Sequence, residues 1–303
     1  MTGLSPSLNL NKEMDQIVTH KYKVDGISLN VAEIGKGESL VLIHGWSNNW
    51  LGWTLLAHQL APYYHLYMVD LPGFGDSDRL EEYSLETVTA YVDSFIKRYV
   101  PKPKALIGAS GGTFVVAELI RRSKLSTNLI FIGTVFKGKR SPKLANLYKS
   151  LLAFSADRTM TQKILGVIMK SRYSAYFMEK YIHAYEFDKK LVDTYQVPGR
   201  KKITGKSYVQ LGLSYMEFYM DEFLEETRHR TLLLFGEGDK YVRPEDARAL
   251  VAKIKNRHIT LDFVQEAGHG PAYEQPQRAA RAIRNFLERD LSIWGLIKRL
   301  FLK

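Results

Sequence analysis

The sequence predicts an α/β fold in which helices flank a mostly parallel central sheet. Six short apolar runs recur along the chain, and helix-length segments separate most of them. Continuous apolar runs are typical of strands that are covered on both faces, as in a parallel sheet. The 303 residues are 45% hydrophobic and 25% charged, which is ordinary for a globular chain and excludes a largely disordered, collagen-like or multi-span membrane protein.

The strands are predicted in the following order. Two alternating stretches, residues 17–24 and 27–33, flank the turn signal Asp25-Gly26 and indicate a hairpin. The six apolar runs then predict buried strands at 39–43, 66–69, 104–107, 129–132, 231–235 and 259–264.

Three helices are predicted around these strands. Residues 84–99 open with Ser-Leu-Glu-Thr and place their apolar residues at helical spacing. Residues 243–255 begin with Arg-Pro-Glu-Asp, and residues 275–287 carry Pro276 in the first turn, where proline is favoured. This alternation of strands and helices predicts layers of helices packed on a sheet.

Residues 137–229 break the alternation. This stretch holds 9 of the 18 tyrosines and 5 of the 8 methionines, and its apolar residues recur at helical spacing. It predicts a helical cap inserted before the strand at 231–235, and its aromatic residues either fill the core of the insertion or line a pocket beneath it. The predicted domains are a first core part at 1–136, the cap at 137–229, a second core part at 230–290 and an amphipathic basic tail at 291–303.

The charge is strongly basic, at +11, and most of the excess lies in the middle of the chain. No zinc-finger spacing, aromatic RNA-binding motif or long block of like charge accompanies it. We therefore expect mainly a solvated surface and no nucleic-acid partner, with recruitment of another anionic partner as the alternative. The tail carries an apolar stripe beside lysines and an arginine, which fits either an interfacial membrane anchor or a contact with its own protein or a second subunit.

The absence of cysteine excludes a disulfide scaffold, a thiol nucleophile and thiolate metal sites. The amino terminus shows no secretory signal, and no run approaches the 18 or so apolar residues of a membrane span. These features predict a soluble cytoplasmic protein.

The segment from Gly108 to Gly112 predicts a nucleophilic serine. A strand precedes it and a helix follows it, so Ser110 would sit on a sharp bend with its hydroxyl above the sheet. The helix that follows directs its amino-terminal N–H groups toward the same point and favours developing negative charge there.

Serine needs a base and an acid that orients the base, and both follow later strands. Asp239 lies just beyond the run at 231–235, and His269 lies beyond the run at 259–264. Carboxyl ends of parallel strands gather at one edge of a sheet, where sites assemble. Glu237 and Glu266 compete with Asp239 for the acid role, but Glu237 is closer to the strand end and Glu266 belongs to the loop leading to His269.

Acyl transfer also requires donors for the oxyanion. The backbone N–H of Gly111, directly after the serine, supplies one donor. The N–H of Trp46 supplies the other, because it lies in the loop after the strand at 39–43 and follows a glycine that permits close approach. The Trp46 ring either lines the pocket or only packs against neighbouring side chains of the protein.

Together these segments resemble the α/β-hydrolase superfamily, specifically its capped members that act as serine esterases, lipases or lactonases. The order Ser110, Asp239, His269 is the order of that family's triad. Besides the serine-bearing turn from Gly108 to Gly112, the resemblance rests on four segments. They are Leu42-Ile-His-Gly-Trp46, Asp70-Leu-Pro-Gly-Phe-Gly-Asp-Ser77, Gly236-Glu-Gly-Asp239 and Gly268-His-Gly-Pro-Ala-Tyr-Glu-Gln-Pro276. It implies an α/β-hydrolase fold over residues 27–136 and 230–289.

The resemblance implies a serine carboxylic-ester hydrolase that takes small to medium-chain esters, lactones included, without metal or organic cofactor. Ser110 in the turn argues against the opening of epoxides and the removal of halides, because the family members that catalyse those reactions carry aspartate at this position. The Asp70–Ser77 segment resembles a structural turn, so neither Asp76 nor Ser77 is expected to be catalytic. The same triad also serves carbon–carbon bond hydrolases, thioesterases, terminal peptidases and cofactor-free haloperoxidases, and a non-catalytic ligand-binding module is a further alternative.

Overall fold

The computed structural model describes residues 16–136, 142–180 and 185–289 of the chain. Its eight strands lie in one sheet with the order β1-β2-β4-β3-β5-β6-β7-β8. Strands β3 to β8 run parallel, whereas β1 and β2 form an antiparallel hairpin at one edge. The predicted mostly parallel sheet is confirmed. The strands are β1 (Val18–Val24), β2 (Ile27–Ile34), β3 (Glu38–Ile43), β4 (Tyr64–Val69), β5 (Ala105–Ala109), β6 (Asn128–Ile132), β7 (Thr231–Gly236) and β8 (Ile259–Val264).

The central strands are buried on both faces. On β3, Val41 and Ile43 enter one hydrophobic core, while Leu40 and Leu42 enter the other. Strands β6 and β7 divide their side chains in the same way. Successive side chains of a strand point to opposite faces, so a strand covered on both sides must be apolar throughout. This burial explains why the runs in the sequence are continuous rather than alternating.

Helices cover the sheet on both sides. One core contains α1 (Thr54–Leu60) and α13 (Pro276–Glu288), and the other contains α2 (Leu85–Tyr99), α3 (Gly112–Arg122) and α11 (Pro244–Ile254). Ser84 caps α2 by accepting the backbone N–H of Thr87, as its Ser-Leu-Glu-Thr start suggests. A short 3₁₀ turn (Trp50–Trp53) precedes α1, and a single turn α12 (Pro271–Glu274) precedes α13.

The sequence patterns did not predict helix α1. Five of its seven residues are buried, so it shows no polar face and no helical periodicity in apolar residues. Such a two-turn buried helix cannot be distinguished by its pattern from a buried strand or loop.

Helices also fill the chain between β6 and β7. Helix α9 contributes Tyr208, Val209, Leu211 and Tyr215 to one of the two cores, and α4 and α5 lie on α9. The crossing of α5 over α9 is close, since a Cβ added to Gly205 would lie 1.8 Å from the carbonyl oxygen of Gln162. These helices are α4 (Pro142–Ser155), α5 (Thr159–Lys170), α6 (Arg172–Met178), α7 (Lys189–Leu191), a π turn (Val192–Gln196), α8 (Val197–Lys201), α9 (Gly205–Glu217) and α10 (Met220–Glu226).

The division into two core parts, a cap at 137–229 and a tail stays a prediction. The predicted tail at 291–303 lies outside the described residues. In the described part of the chain, no helix has both the length and the apolar composition that crossing a lipid bilayer requires.

Candidate active site

Ser110 occupies a strained turn between β5 and α3. Its φ of 46° lies in the left-handed region, which residues with a Cβ atom seldom adopt. The Ser110 N–H donates to the carbonyl of Ile132 at 2.8 Å, which ties the turn to the neighbouring strand. The turn is tight, because a Cβ added to Gly112 would lie 2.3 Å from the carbonyl oxygen of Ile43. Strain at a polar residue held by its surroundings is a mark of functional sites.

Ser110, His269 and Asp239 form one chain of hydrogen bonds. The Nε2 atom of His269 lies 3.1 Å from the Ser110 Oγ, and its Nδ1 lies 2.9 Å from an oxygen of Asp239. The other Asp239 oxygen accepts the backbone N–H groups of Tyr241 and Val242, each at 2.8 Å. Because the carboxylate only accepts, Nδ1 carries the proton and donates. Nε2 is then the acceptor that faces the serine hydroxyl.

His269 is buried beside the cavity, and two opposing effects act on its pKa. Burial lowers the pKa of His269, but the charge and hydrogen bond of Asp239, with smaller contributions from Glu179 and Glu274, outweigh burial and leave it raised. The imidazolium is therefore a favourable state at this position, which suits a group that takes up a proton from serine.

Glu274 holds the loop that carries His269. Its carboxylate accepts the N–H groups of Gly268 and Gly270, on either side of the histidine, at 3.0–3.1 Å. It also accepts the N–H of Tyr185 at 2.7 Å. Glu274 belongs to a segment that the sequence analysis quoted without assigning it a role. Its position six residues after Gly268 gave no signal, because only the fold of the loop brings it back.

Two peptide groups beside the serine have anchored carbonyls. The Ser110 carbonyl accepts the backbone N–H of Thr113 at 3.0 Å and its hydroxyl at 2.6 Å. A peptide unit is planar, so these bonds fix the direction of the Gly111 N–H. In the same way the Gly45 carbonyl accepts the backbone N–H of Asn48 at 3.2 Å, which orients the N–H of Trp46. The two N–H groups predicted to bind the oxyanion are thus oriented before any substrate arrives.

His44 is a second anchor for the Trp46 peptide. Its Nε2 accepts the N–H of Leu71 at 3.1 Å, so Nδ1 carries the proton and donates to the Gly45 carbonyl at 2.8 Å. Burial lowers the pKa of His44 to about 4, and the hydrogen bond to the Gly45 carbonyl, which raises this pKa, has a smaller effect. The imidazole is therefore neutral near pH 7, which both bonds require. Sequence analysis assigned no role to this residue.

A cavity of about 90 Å³ lies beside the serine. Core loops supply Ser110, His269 and Trp53, and the helices before β7 supply Glu179 and Arg200. Arg200 is only 4% exposed, and its Nη1 has no hydrogen-bond acceptor among the described residues. The indole N–H of Trp53 also lacks an acceptor there. The Trp46 ring stacks on Tyr208 with ring centres 4.4 Å apart, so the indole is packed, and residue Trp46 also borders the cavity.

The competing acids lie elsewhere. Glu237 and Glu266 are exposed, and Glu266 pairs with Arg278 at 2.8 Å. Asp70 is buried and accepts Asn30 and two backbone N–H groups, and burial raises its pKa to about 6. Ser77 donates to the Asp70 carbonyl at 2.6 Å. None of the residues at 70–77 lines the cavity, which fits the expected structural turn.

Among the residues at 16–136, 142–180 and 185–289, no three His, Asp or Glu side chains gather closely enough to hold a metal ion.

Comparison with known proteins places the chain among hydrolases. A family model described as alpha/beta hydrolase family matches residues 40–282. The pimeloyl-[acyl-carrier protein] methyl ester esterase of Aeromonas salmonicida is 40% identical over 95 residues, which cover 31% of this chain and 36% of that esterase. The match thus spans about a third of the relative's length.

Two further proteins match over most of their length. The 2-hydroxy-6-oxo-2,4-heptadienoate hydrolase of Pseudomonas putida is 22% identical over 296 residues, covering 92% of this chain and 98% of that hydrolase. A solved esterase from Thermogutta terrifontis has a TM-score of 0.68 and 21% identity, covering 90% of this chain and 98% of that structure. At this identity the structural likeness is one of fold.

Proposed function

The chain belongs to the alpha/beta hydrolase family, and we propose that it is a serine carboxylic-ester hydrolase for small to medium-chain esters, lactones included. The observation that carries the proposal is the hydrogen-bonded chain from Ser110 through His269 to Asp239 beside a cavity. The cavity is small compared with the roughly 300–1,000 Å³ of typical ligand pockets, which supports a short acyl group.

The proposed reaction has two halves. The Ser110 Oγ attacks the ester carbonyl carbon while His269 Nε2 takes the hydroxyl proton, and Asp239 stabilises the imidazolium. The carbonyl electron pair moves to oxygen, which accepts the N–H groups of Trp46 and Gly111. The bond to the alcohol then breaks, and His269 returns the proton to the leaving oxygen. Water, deprotonated by His269, attacks the acyl-enzyme in the second half and releases the acid and the serine.

Arg200 favours a second candidate function, the hydrolysis of a carbon–carbon bond in an acid-bearing substrate. The Nη1 atom of this buried guanidinium has no acceptor among the described residues, which is costly, and a carboxylate is a ligand that its planar N–H groups match. The Pseudomonas putida relative is named for a dienoate, which carries such a carboxylate. Glu179 lies in the same wall, and its electrostatic interaction with Arg200 partly opposes the lowering of the Arg200 pKa by burial.

Hydrolysis of p-nitrophenyl esters from acetate to palmitate, with γ- and δ-lactones, tests the first candidate. We expect turnover of the short esters by wild type and a loss of about 10⁴-fold or more in Ser110→Ala. Ser77→Ala removes a buried serine outside the cavity and serves as the matched control. If folded wild type turns over no ester or lactone, the ester proposal fails and thioester, peptide or peroxidase chemistry would be tested next.

A 2-hydroxy-6-oxo-dienoate tests the second candidate on the same preparations. We expect Arg200→Gln to raise KM for this acid about 10-fold or more and to leave KM for p-nitrophenyl acetate unchanged. Equal effects on both substrates would show that Arg200 supports the cavity rather than binding a carboxylate.

A further inference from the structure

The helices before β7 expose an unusual amount of apolar surface. Among the described residues, fifteen large hydrophobic side chains are exposed, and eight of them lie between residues 147 and 173. Each of the eight is at least 43% exposed. We call them the apolar face; its members are Leu147, Leu151, Phe154, Met160, Ile164, Val167, Ile168 and Tyr173.

The apolar face follows α4 and α5 and ends at Tyr173 on α6. Its members recur every three or four residues, at 147, 151 and 154 on α4 and at 160, 164 and 167 on α5. This spacing places them on one side of each helix. The opposite sides pack on α9, where Leu152 of α4 is fully buried and Gly166 of α5 lies against Gly205. The apolar side of each helix therefore points away from the protein.

Basic residues surround this face. Arg158, Lys163, Lys170 and Arg172 are exposed on the same helices or at their ends. Lys163 and Lys170 form no ion pair with the described part of the chain. Between residues 146 and 180 the acidic residues are Asp157, which is exposed, and Glu179, which is buried. The surface thus combines apolar side chains with an excess of positive charge.

The combination of exposed apolar side chains and positive charge indicates which kind of partner the apolar face binds. Monomeric proteins rarely leave large contiguous apolar patches in water, and such patches mark interaction sites. Helices that lie on a bilayer join Leu, Phe and aromatic residues with lysine and arginine, which contact anionic headgroups. A second copy is a poorer partner, because a symmetric contact would bring the same cations together. We propose that the apolar face binds the surface of an anionic phospholipid bilayer.

The proposed contact lies close to the active-site cavity. Helix α5 also packs on α8, and Arg200 of α8 lines the cavity. A protein bound through the apolar face would therefore hold its cavity one helix away from the lipid surface. The contact does not depend on the proposed ester hydrolysis, and it can be tested without a substrate.

Co-sedimentation of the full chain with vesicles tests the proposal. Vesicles of equal parts phosphatidylcholine and phosphatidylglycerol are compared with vesicles of phosphatidylcholine alone. We expect wild type to partition onto the anionic vesicles, and Ile164→Ser with Val167→Ser to reduce the partition coefficient about 10-fold or more. The matched control, Val18→Ser with Tyr63→Ser, removes two exposed hydrophobic side chains elsewhere and should bind like wild type.

Two further variants separate the sources of binding. Lys163→Glu with Lys170→Glu should weaken binding to anionic vesicles only, and more strongly at low salt. Deletion of residues 291–303 measures what the basic tail adds. Since all substituted side chains are exposed, circular dichroism melting should match wild type.

Three outcomes would overturn the proposal. The first is absence of wild-type binding to anionic vesicles. The second is binding that survives the Ile164→Ser, Val167→Ser change and disappears with the tail. The third is a dimer in sedimentation velocity that this double change dissolves without any effect on vesicle binding.

Discussion

Two loops at the carboxyl edge of the sheet each carry a buried histidine, and the pKa values of the two imidazoles shift in opposite directions. His269 faces the Asp239 carboxylate, which outweighs burial and raises its pKa. His44 faces backbone groups of Gly45 and Leu71, and burial lowers its pKa to about 4. Both side chains are imidazoles and both are buried, so the Asp239 charge beside His269 accounts for the opposite direction of the two pKa shifts.

The difference separates two roles for histidine. A base that takes a proton from serine must tolerate positive charge, and a carboxylate at Nδ1 provides for it. An anchor that orients a peptide must keep one nitrogen as donor and the other as acceptor, and protonation would destroy the acceptor. Burial without a counter-charge keeps His44 in its neutral form.

Replacing the Asp239 carboxylate should have the largest effect on the difference between the two histidines. Asp239→Asn should lower kcat for p-nitrophenyl acetate by about 10⁴-fold, because an amide does not hold the Nδ1–H tautomer. The pKa of His269 should also fall, since burial then acts without the opposing charge, and the acidic limb of the pH–rate profile should move to lower pH. Glu237→Gln, an exposed acid on the same loop, is the control. A limb that stays in place would contradict the assignment of the shift to Asp239.

Two amide substitutions at His44 test separately the hydrogen bonds made by its two ring nitrogens. Asparagine can place an N–H near Nδ1 and keep the bond to Gly45, whereas glutamine can place an acceptor near Nε2 and keep the bond to Leu71. If the Gly45 bond orients the Trp46 N–H, His44→Gln should lose up to about 10²-fold in kcat, as for loss of one oxyanion donor, and His44→Asn should lose less. KM should change little in both. Equal losses would show that His44 stabilises the loop without orienting that peptide.

Stability as a function of pH tests the neutral state of His44 without a substrate. When the pH falls below 6.5, the unfolded chain protonates His44 while the folded state stays neutral until about pH 4, so unfolding is favoured. Relative to His44→Asn, wild type should lose about 3 kcal/mol of unfolding free energy between these pH values. Urea unfolding at several pH values measures the difference. His269 has a raised pKa, so its contribution has the opposite sign, being present below pH 6.5 and lost as pH rises through its folded pKa. A difference between wild type and His44→Asn that does not change with pH would contradict the neutral state of His44.

The sheet and the meeting of Ser110, Asp239 and His269 followed from local patterns. Continuous apolar runs identified the buried strands, and the residues just after each strand must gather where parallel strands end. The same logic placed the loop that carries Trp46 beside the serine. Each of these inferences needs only the sequence position relative to a strand.

The positions of Glu274, His44 and Arg200 depended on contacts that no local sequence pattern encodes. Glu274 reaches back across its own loop, and His44 reaches Leu71 after an intervening helix and strand. Arg200 enters the cavity from α8, whose position follows from how the helices pack on one another. Exposure of the apolar face was likewise hidden, because helical spacing identifies a stripe but does not say whether protein or solvent faces it.

The left-handed backbone at residue 110 lowers the stability of the folded chain, whereas the serine hydroxyl held there is what the proposed reaction requires. Glycine, or to a lesser extent asparagine, adopts this φ with less strain, so the folded chain alone would favour either over serine. Thermostability screening or design that scores residue 110 by conformational energy would therefore select the loss of the hydroxyl. Under the proposed function, selection for catalysis is what retains serine at this position, and its loss in a related chain would indicate loss of the hydrolase activity.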